Sequence, residues 1–233
     1  MRVTIAIPCY KQAEYLPEAV ESALAQTYQD TEIIIVNDGS PDDTGKIAAQ
    51  YQLQHPFKIK VIDQVNKGLA SARNSAIMAM SGDYFMPLDA DDILMSNCIE
   101  RLIEAAQETN ADIIGPSLRT FGLAQETIIL DKEPTRKEFL SGNRLGYFSM
   151  IKKGALIECG GYSPRMDAGF EDYHLWFDLL GRGKRAITVS EPLVLYRTKE
   201  QSMWRDAEKQ RPKLMAQIFK DFPELLPKEI KTI

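Results

Sequence analysis

Short apolar runs alternate with amphipathic stretches along the first half of the chain. Continuous apolar runs rich in β-branched residues predict strands, and apolar residues three or four positions apart predict helices. The predicted strands cover residues 3–7, 32–36, 58–63, 83–88 and 112–115. The predicted helices cover residues 14–26, 44–54, 69–80 and 93–107. This alternation predicts an α/β fold with a mostly parallel sheet flanked by helices.

The second half of the chain has a weaker pattern. Residues 120–130 predict short strands, and residues 144–159 mix strand and helix signals. Further along, the pattern predicts a helix, a strand and a terminal amphipathic helix disturbed by Pro212, at residues 171–180, 192–197 and 207–219. We expect one domain over residues 1–204, with a smaller mixed region in its second half, and a helical extension over residues 205–233.

Composition and charge narrow the function classes. The chain has 233 residues and a formal net charge of -5, whereas a nucleic-acid-binding domain usually carries a basic face. Cys9, Cys98 and Cys159 form no CxxC pair and are too few for a disulfide framework. No binding of nucleic acid is therefore expected, and the cysteine content fits a reducing compartment.

The distribution of apolar residues gives an expectation for location. No apolar run approaches the ~18 residues of a membrane span, and the first run ends at Pro8, unlike a signal peptide. We expect a cytoplasmic protein. The terminal helix mixes lysine and arginine with apolar residues, so it could contact an anionic membrane at its inner face or pack on the domain.

Polar clusters follow three of the predicted strands, at residues 8–11, 37–43 and 89–92. The carboxyl ends of parallel strands meet at one edge of a sheet, and ligands bind beyond that edge. The sequence therefore predicts a ligand site built from these three loops.

Asp89 and Asp91 form an Asp-x-Asp directly after a predicted buried strand. Mg²⁺ and Mn²⁺ prefer carboxylate and phosphate oxygens, so the pair could hold a metal beside a diphosphate. An acidic turn at the start of the next helix would explain the same residues. Asp38 also has two interpretations: it could bind a base or ribose, or it could form an Asx turn.

Other charged residues leave alternatives of the same kind. Lys67 and Arg73 could neutralise phosphate or contact a base, or Arg73 could be an exposed helical arginine. Glu171 and Asp172 open a predicted helix, where a carboxylate usually acts as a cap. An ionised carboxylate at that place could also act as a general base.

As an ordered set, these motifs resemble those of family 2 glycosyltransferases, which have the Rossmann-like GT-A fold. The resemblance extends over residues 3–197. The motifs, in chain order, are Ile5-Ala6-Ile7-Pro8-Cys9-Tyr10, Val36-Asn37-Asp38-Gly39-Ser40, Gly68-x4-Arg73-Asn74, Leu88-Asp89-Ala90-Asp91-Asp92 and Glu171-Asp172. Each motif is weak alone, but the set is specific.

The resemblance implies roles in binding the nucleotide sugar. Pro8 and Tyr10 would cradle the nucleobase, with Tyr10 stacking on it. Asp38 would bind the base, and uracil is the base expected. Lys67 and Arg73 would lie beside the base or the diphosphate.

The resemblance also implies roles for the carboxylates around the reacting groups. Asp89 would contact the ribose or the sugar, and Asp91 would bind the divalent metal, Mn²⁺ or Mg²⁺. Asp92 would support the acceptor or the donor sugar. Asp172 would be the general base, with Glu171 as its neighbour and the second candidate.

One position departs from the family pattern. Many relatives have Tyr-Arg-x-His after the last strand, and that histidine can reach the metal or the diphosphate. Here the stretch is Tyr196-Arg197-Thr198-Lys199. A protonated lysine cannot ligate a metal, but it can face phosphate oxygens. Lys199 is therefore expected either to bind the donor diphosphate or to be a solvated loop lysine.

The implied function is an inverting, metal-dependent transfer of a sugar from a nucleotide diphosphate, with UDP expected, to a hydroxyl group. Residues 1–115 would bind the donor, and residues 116–204 would face a saccharide or lipid-linked glycan acceptor. Trp176 and Trp204 could line the acceptor groove or lie in the core. Three alternatives stay open: a sugar-phosphate nucleotidyltransferase, a glycoside hydrolase and a non-catalytic sugar-nucleotide-binding protein.

Overall fold

The computed structural model describes residues 1–130 and 133–225. Its strands are β1 (Val3–Cys9), β2 (Thr31–Asp38), β3 (Ile59–Gln64), β4 (Tyr84–Pro87), β5 (Ile93–Leu94), β6 (Ile113–Gly122), β7 (Thr127–Ile128), β8 (Met150–Lys152) and β9 (Ala186–Thr198). Its α-helices are α1 (Leu16–Leu24), α2 (Thr44–Gln54), α3 (Leu69–Ala79), α4 (Cys98–Thr109), α5 (Lys153–Cys159), α6 (Glu171–Gly181), α7 (Met203–Lys209) and α8 (Arg211–Asp221).

The strands form one mixed sheet in the order β3-β2-β1-β4-β8-β6-β9-β5, with β7 beside β6. Strands β1 to β4 are parallel neighbours, and β6 is parallel to β9. The short strands β5, β7 and β8 pair antiparallel with their neighbours. The predicted α/β architecture, with a mostly parallel sheet flanked by helices, is confirmed.

Alternate residues of the central strands pack into two separate hydrophobic cores, one on each face of the sheet. Ile33 and Ile35 pack with α1, α2 and α4. Ile34 and Val36 point to the opposite face and pack with the layer formed by α3 and α5 to α8. Because both faces are covered, a continuous apolar run rather than an alternating one forms this strand.

The predicted helix at residues 93–107 and the predicted strand at residues 192–197 differ from the structure. Residues 93–97 are not helical, because Ile93 and Leu94 pair antiparallel with Leu195 and Val194, and α4 begins only at Cys98. The predicted strand at residues 192–197 is part of the much longer β9. Its register against β6 shifts near Pro192, where a missing N–H is tolerated at a bulge.

The predicted terminal helix is two helices, α7 and α8, with Pro212 in the first turn of α8, where proline is favoured. The predicted boundary after Trp204 therefore falls inside α7. Ala207, Leu214 and Ile218 are buried in the core beside α6. Residues 226–233 of the predicted extension lie outside the described residues. In the part of the chain that the structure describes, no helix is long and apolar enough to cross a membrane.

Candidate active site

A cleft of about 1140 Å³ lies at the carboxyl ends of β1, β2 and β4 and is closed on the other side by the starts of α6 and α7. Most of the predicted site residues line it. They are Pro8, Tyr10, Asp38, Arg73, Asp89, Asp91, Glu171, Asp172, Lys199 and Trp204. The parallel strands thus bring loops that are far apart in sequence to a single cavity.

Asp38 ends β2 and organises the loop after β3. Its Oδ1 accepts hydrogen bonds from Gln64 Nε2 (2.7 Å) and the Lys67 backbone N–H (2.9 Å). Its Oδ2 accepts one from the Gly68 N–H at 2.9 Å. An ionised carboxylate offers about four acceptor positions, so Oδ2 can still accept from a ligand. Lys67 holds Asp38 through its backbone and is not among the described residues that line the cleft.

Gly39 lets the loops after β2 and β3 meet. Its φ is 67°, and a Cβ at this position would lie 2.7 Å from the Asn66 backbone nitrogen. Any other residue would push the two loops apart and displace Asp38. On the neighbouring loop, Tyr10 is 43% exposed at the cleft wall, with the Lys11 ammonium 5.2 Å from the centre of its ring. The exposed part of the ring could stack on an aromatic base.

Arg73 on α3 is fully buried and joins two carboxylates. Its guanidinium lies 2.8 Å from Asp89 Oδ1 and 2.5 Å from Glu171 Oε1, and its charge lies over the rings of Tyr147 and Tyr162. The interpretation of Arg73 as an exposed helical arginine is therefore wrong. A role beside the base or diphosphate stays a prediction.

The three aspartates after β4 have different surroundings. Asp89 pairs with Arg73, and Asp91 lies 2.5 Å from the Lys199 ammonium. Asp92 is 1% exposed and accepts hydrogen bonds from Tyr147 Oη (2.5 Å) and the Arg197 backbone N–H (2.6 Å). Asp92 is thus turned into the protein and is not among the described residues that line the cleft. Its support of the acceptor or the donor sugar stays a prediction.

Asp91 suits a divalent cation. Its carboxylate is partly exposed and pairs with the partly exposed Lys199, whereas Asp89 pairs with the buried Arg73 and Asp92 is itself buried. Within residues 1–130 and 133–225, no group of three or more His, Cys, Asp or Glu side chains could hold a metal alone. Mg²⁺ and Mn²⁺ often use one or two protein carboxylates and take the remaining ligands from phosphate and water. Asp91 fits this mode.

Glu171 and Asp172 are the first two residues of α6, and their environments differ. Phe170, at the N-cap, has φ 61° and no side-chain cap bond. Asp172 faces the cleft and accepts hydrogen bonds from Asn143 Nδ2 (3.0 Å) and the Tyr173 N–H (2.7 Å). Burial and the neighbouring Glu171 carboxylate raise the pKa of Asp172 to about 7, although the Arg73 charge opposes them. A carboxyl with this pKa can accept a proton near neutral pH.

The comparison of the sequence with known families decides the identity of the chain. The family model described as Glycosyl transferase family 2 matches residues 4–173. The chain belongs to glycosyl transferase family 2. The family predicted from the motifs is thus confirmed.

Family 2 relatives and solved structures agree with this assignment. Over 113 residues the chain is 43% identical to the Bacillus subtilis (strain 168) protein "Uncharacterized glycosyltransferase EpsJ", a match that covers 48% of this chain and 33% of that protein. The chain thus spans about a third of the length of this relative.

Two solved structures show the GT-A type fold. S. aureus TarS 1-349 in complex with UDP-GlcNAc has a TM-score of 0.77 at 16% identity, covering 88% of this chain and 61% of that one. The mannosyltransferase PcManGT from Pyrobaculum calidifontis, in complex with GDP-Man and Mn²⁺, has a TM-score of 0.73 at 18% identity. This second match covers 95% of this chain and 64% of that one.

The C-terminal helices of this family 2 domain build the wall opposite the strand ends. Trp204 on α7 is 60% exposed and lines the cleft. Helix α7 packs closely there because Gly169 has no side chain, and a Cβ on it would lie 2.5 Å from the Cβ of Ala207. Trp176 is 0% exposed in the core beneath α6. Of the two alternatives for Trp176, the core position is therefore the correct one, and its assignment to the acceptor side is wrong.

Sequence reasoning missed three residues that organise the site. Tyr147 Oη accepts from the Asp89 N–H at 3.2 Å and donates to Asp92. Asn143 donates to Asp172, and Arg197 donates from Nε to the Asp91 carbonyl at 2.8 Å. Tyr147 and Asn143 lie in a segment without apolar periodicity, so no sequence signal pointed to them. Arg197 belongs to the Tyr-Arg motif, and that motif could have indicated its role in the site.

Proposed function

We propose that this chain transfers a sugar from a nucleoside diphosphate to an acceptor hydroxyl by a single inverting displacement. The observation that carries the proposal is the position of Asp172, which faces the same cleft as Asp91 and Lys199. A base and a cationic leaving-group site in one cavity are what such a displacement requires.

Asp172 is the better base of the two adjacent carboxylates. Glu171 is buried and its Oε1 is held by Arg73, so it is not free to take a proton from an acceptor. Asp172 would accept the proton of the attacking hydroxyl while the bond to the anomeric carbon forms. Because Glu171 is engaged with Arg73, it would not act as a nucleophile beside Asp172. The proposed single displacement would invert the anomeric configuration.

Asp91 and Lys199 would serve the leaving diphosphate. Asp91 would hold Mn²⁺ or Mg²⁺, and a bound divalent cation stabilises negative charge on departing phosphate oxygens. Lys199 would place an ammonium group beside the same oxygens. Arg73 would keep Asp89 in place next to the donor through their 2.8 Å ion pair.

The donor we propose is a UDP-sugar. The exposed ring of Tyr10 offers a stacking face, and Asp38 Oδ2 can still accept a hydrogen bond from the imide N–H of uracil. We expect calorimetry with Mn²⁺ to give a dissociation constant about tenfold lower for UDP than for GDP, which corresponds to about 1.4 kcal/mol. The dTDP complex should be intermediate. Clearly tighter binding of GDP would contradict this choice of base.

Replacing Asp91 by asparagine should weaken donor binding in the presence of metal. A neutral amide is a poorer ligand for a hard divalent cation, so UDP affinity with Mn²⁺ should fall by at least 10- to 100-fold, on the order of losses at metal sites. Excess chelator should produce the same loss in the native protein and no further loss in the variant. Full transfer activity in chelator would show that Asp91 only forms the turn before β5.

The acceptor we propose is a saccharide or a lipid-linked glycan. The exposed indole of Trp204 supports it, because aromatic faces suit the apolar faces of sugar rings. Location in the cytoplasm, with α8 in peripheral contact with a membrane, stays a prediction from the sequence. The buried Leu214 and Ile218 of α8 favour packing on the domain for that face of the helix.

The function is tested by incubating the protein with a panel of nucleotide sugars and Mn²⁺ or Mg²⁺. We expect release of nucleoside diphosphate from one class of donor, faster when a saccharide acceptor is added. Pyrophosphate formation from a sugar phosphate and a nucleoside triphosphate would identify a nucleotidyltransferase instead. Cleavage of simple glycosides without nucleotide would identify a hydrolase. Donor binding without any turnover would identify a non-catalytic binding protein.

A further inference from the structure

Lys199 is in direct contact with the carboxylate that would hold the metal. Its ammonium nitrogen lies 2.5 Å from Asp91 Oδ2, and both side chains are partly exposed in the cleft. The same ammonium lies 4.8 Å from the centre of the Tyr15 ring. Lys199 follows directly after the end of β9 and opens the short segment that leads to α7.

Among the residues that the structure describes, Lys199 is the cation whose charged group faces the Asp91 carboxylate. Arg73 is buried between Asp89 and Glu171. Arg197, two residues before Lys199, directs its guanidinium to Glu18 and to the Asp91 carbonyl. The contact between Lys199 and the Asp91 side chain is therefore a local pair at the surface of the cleft, and a change of partner by Lys199 leaves the buried ion pairs intact.

A divalent cation and the Lys199 ammonium would compete for the same carboxylate. Two cations cannot both sit at hydrogen-bond distance from Asp91 Oδ2 without strong repulsion. A diphosphate bound beside Asp91 offers the displaced ammonium several anionic oxygens, and an ammonium group can donate three hydrogen bonds to them.

We propose that Lys199 couples metal binding to donor binding by exchanging Asp91 for the donor diphosphate. This inference rests on the proposed function and names a role for Lys199 in it. Before the donor binds, Lys199 neutralises Asp91 and opposes a metal there. With the donor in place, Lys199 binds the diphosphate and leaves Asp91 to the metal. Metal and nucleotide therefore bind with positive cooperativity, and the coupling is reciprocal.

The proposal predicts effects of opposite sign when the charge of Lys199 is removed. The Lys199→Met variant keeps an apolar stem over Tyr15 but loses the ammonium. It should bind Mn²⁺ alone more tightly than the native protein does, because the competing cation is gone. It should bind UDP in chelator more weakly, because the diphosphate loses a donor. A solvated loop lysine would give neither effect.

The experiment is calorimetric titration of native protein and variant with Mn²⁺ alone, with UDP in chelator, and with UDP at saturating Mn²⁺. In the native protein, Mn²⁺ should raise UDP affinity by about 5- to 150-fold, the usual range of coupling between sites. In Lys199→Met that factor should fall to the smaller value that direct contact between the metal and the diphosphate supplies. The matched control for the titration with Mn²⁺ alone is Lys11→Met. It removes a lysine that lines the same cleft but whose ammonium lies over the Tyr10 ring rather than beside Asp91.

The separate titrations distinguish a failure of this inference from a failure of the proposed function. If Lys199→Met leaves Mn²⁺ affinity unchanged, or if Lys11→Met raises it equally, the competition at Asp91 is refuted. If no nucleoside diphosphate binds the native protein, the proposed donor is refuted, while the Mn²⁺ titration still decides whether Lys199 opposes a cation at Asp91. Thermal unfolding by circular dichroism should show both variants folded like the native protein.

Discussion

Replacing Asp172 by asparagine should lower turnover by about 10²- to 10⁴-fold, the usual contribution of a general base. The amide keeps the shape of the side chain but cannot take a proton. In the proposed function Asp172 would face the acceptor rather than the nucleotide, so UDP affinity should stay within a few-fold of native. The measurement is initial rate together with calorimetry.

The matched control for this change is Asp167→Asn. Asp167 is an exposed carboxylate that also lines the cleft, so its loss changes the charge of the cavity without removing the proposed base. Near-native turnover in Asp172→Asn, or an equal loss in both variants, would move the base to another residue.

The raised pKa of Asp172 predicts how the activity depends on pH. Burial and the Glu171 carboxylate raise that pKa to about 7, and the base works only when ionised. Protonation therefore inactivates the enzyme at a higher pH than for an ordinary aspartate. The value of kcat/KM should fall as the pH drops below about 7, and this acid limb should be absent from the residual activity of Asp172→Asn.

Replacing Arg73 by glutamine should lower the free energy of unfolding by about 3–5 kcal/mol, the usual loss when one partner of a buried ion pair is removed. The change leaves the Asp89 and Glu171 carboxylates facing each other without the cation between them. Arg73→Lys should recover only part of the loss, since an ammonium lacks the planar fork that reaches both carboxylates.

Urea unfolding provides the measurement for Arg73. Arg119→Gln is the control, because Arg119 is exposed on β6 and surface changes usually stay within about 0.5 kcal/mol. Equal midpoints and slopes for the two variants would mean that the buried ion pairs do not hold the site together. Transfer activity of Arg73→Gln should also be lost, because Glu171 precedes the proposed base.

The sequence was sufficient to predict the central sheet and the position of the cleft. The apolar runs that became β1, β2 and β4 are continuous and bounded by turn residues, so few alternatives competed. Once these strands are parallel neighbours, their polar carboxyl ends have to meet at one edge. Tyr10, Asp38 and Asp91 therefore lie in one cavity although no local pattern links them.

Side-chain direction within a helix was harder to predict. Helix α3 is rich in small residues and has no clear apolar face, so its sequence did not indicate that Arg73 points inward. Helix α6 is apolar on most sides, and Trp176 could equally have faced the cleft. In both cases packing of the second core decides the direction, and that packing depends on residues distant in sequence.

Predictions of single elements were wrong where pairing with a distant part of the chain overrode the local sequence pattern. Ile93 and Leu94 fit a helical period, but the edge of β9 binds them as a strand. The irregular stretch before β8 carries Asn143 and Tyr147, whose contacts are with Asp172 and Asp92. Their roles follow from where the chain returns to the sheet, which periodicity does not encode.

The most direct test of the central claim is the anomeric configuration of the first product. Proton NMR should follow the protein with Mn²⁺ and an α-linked UDP-sugar, with water or a saccharide as acceptor. An inverting displacement at Asp172 predicts UDP release with a β-configured product appearing first, before mutarotation of any free sugar. An α-configured first product would contradict the single displacement, and no release of nucleoside diphosphate from any donor would contradict sugar transfer itself.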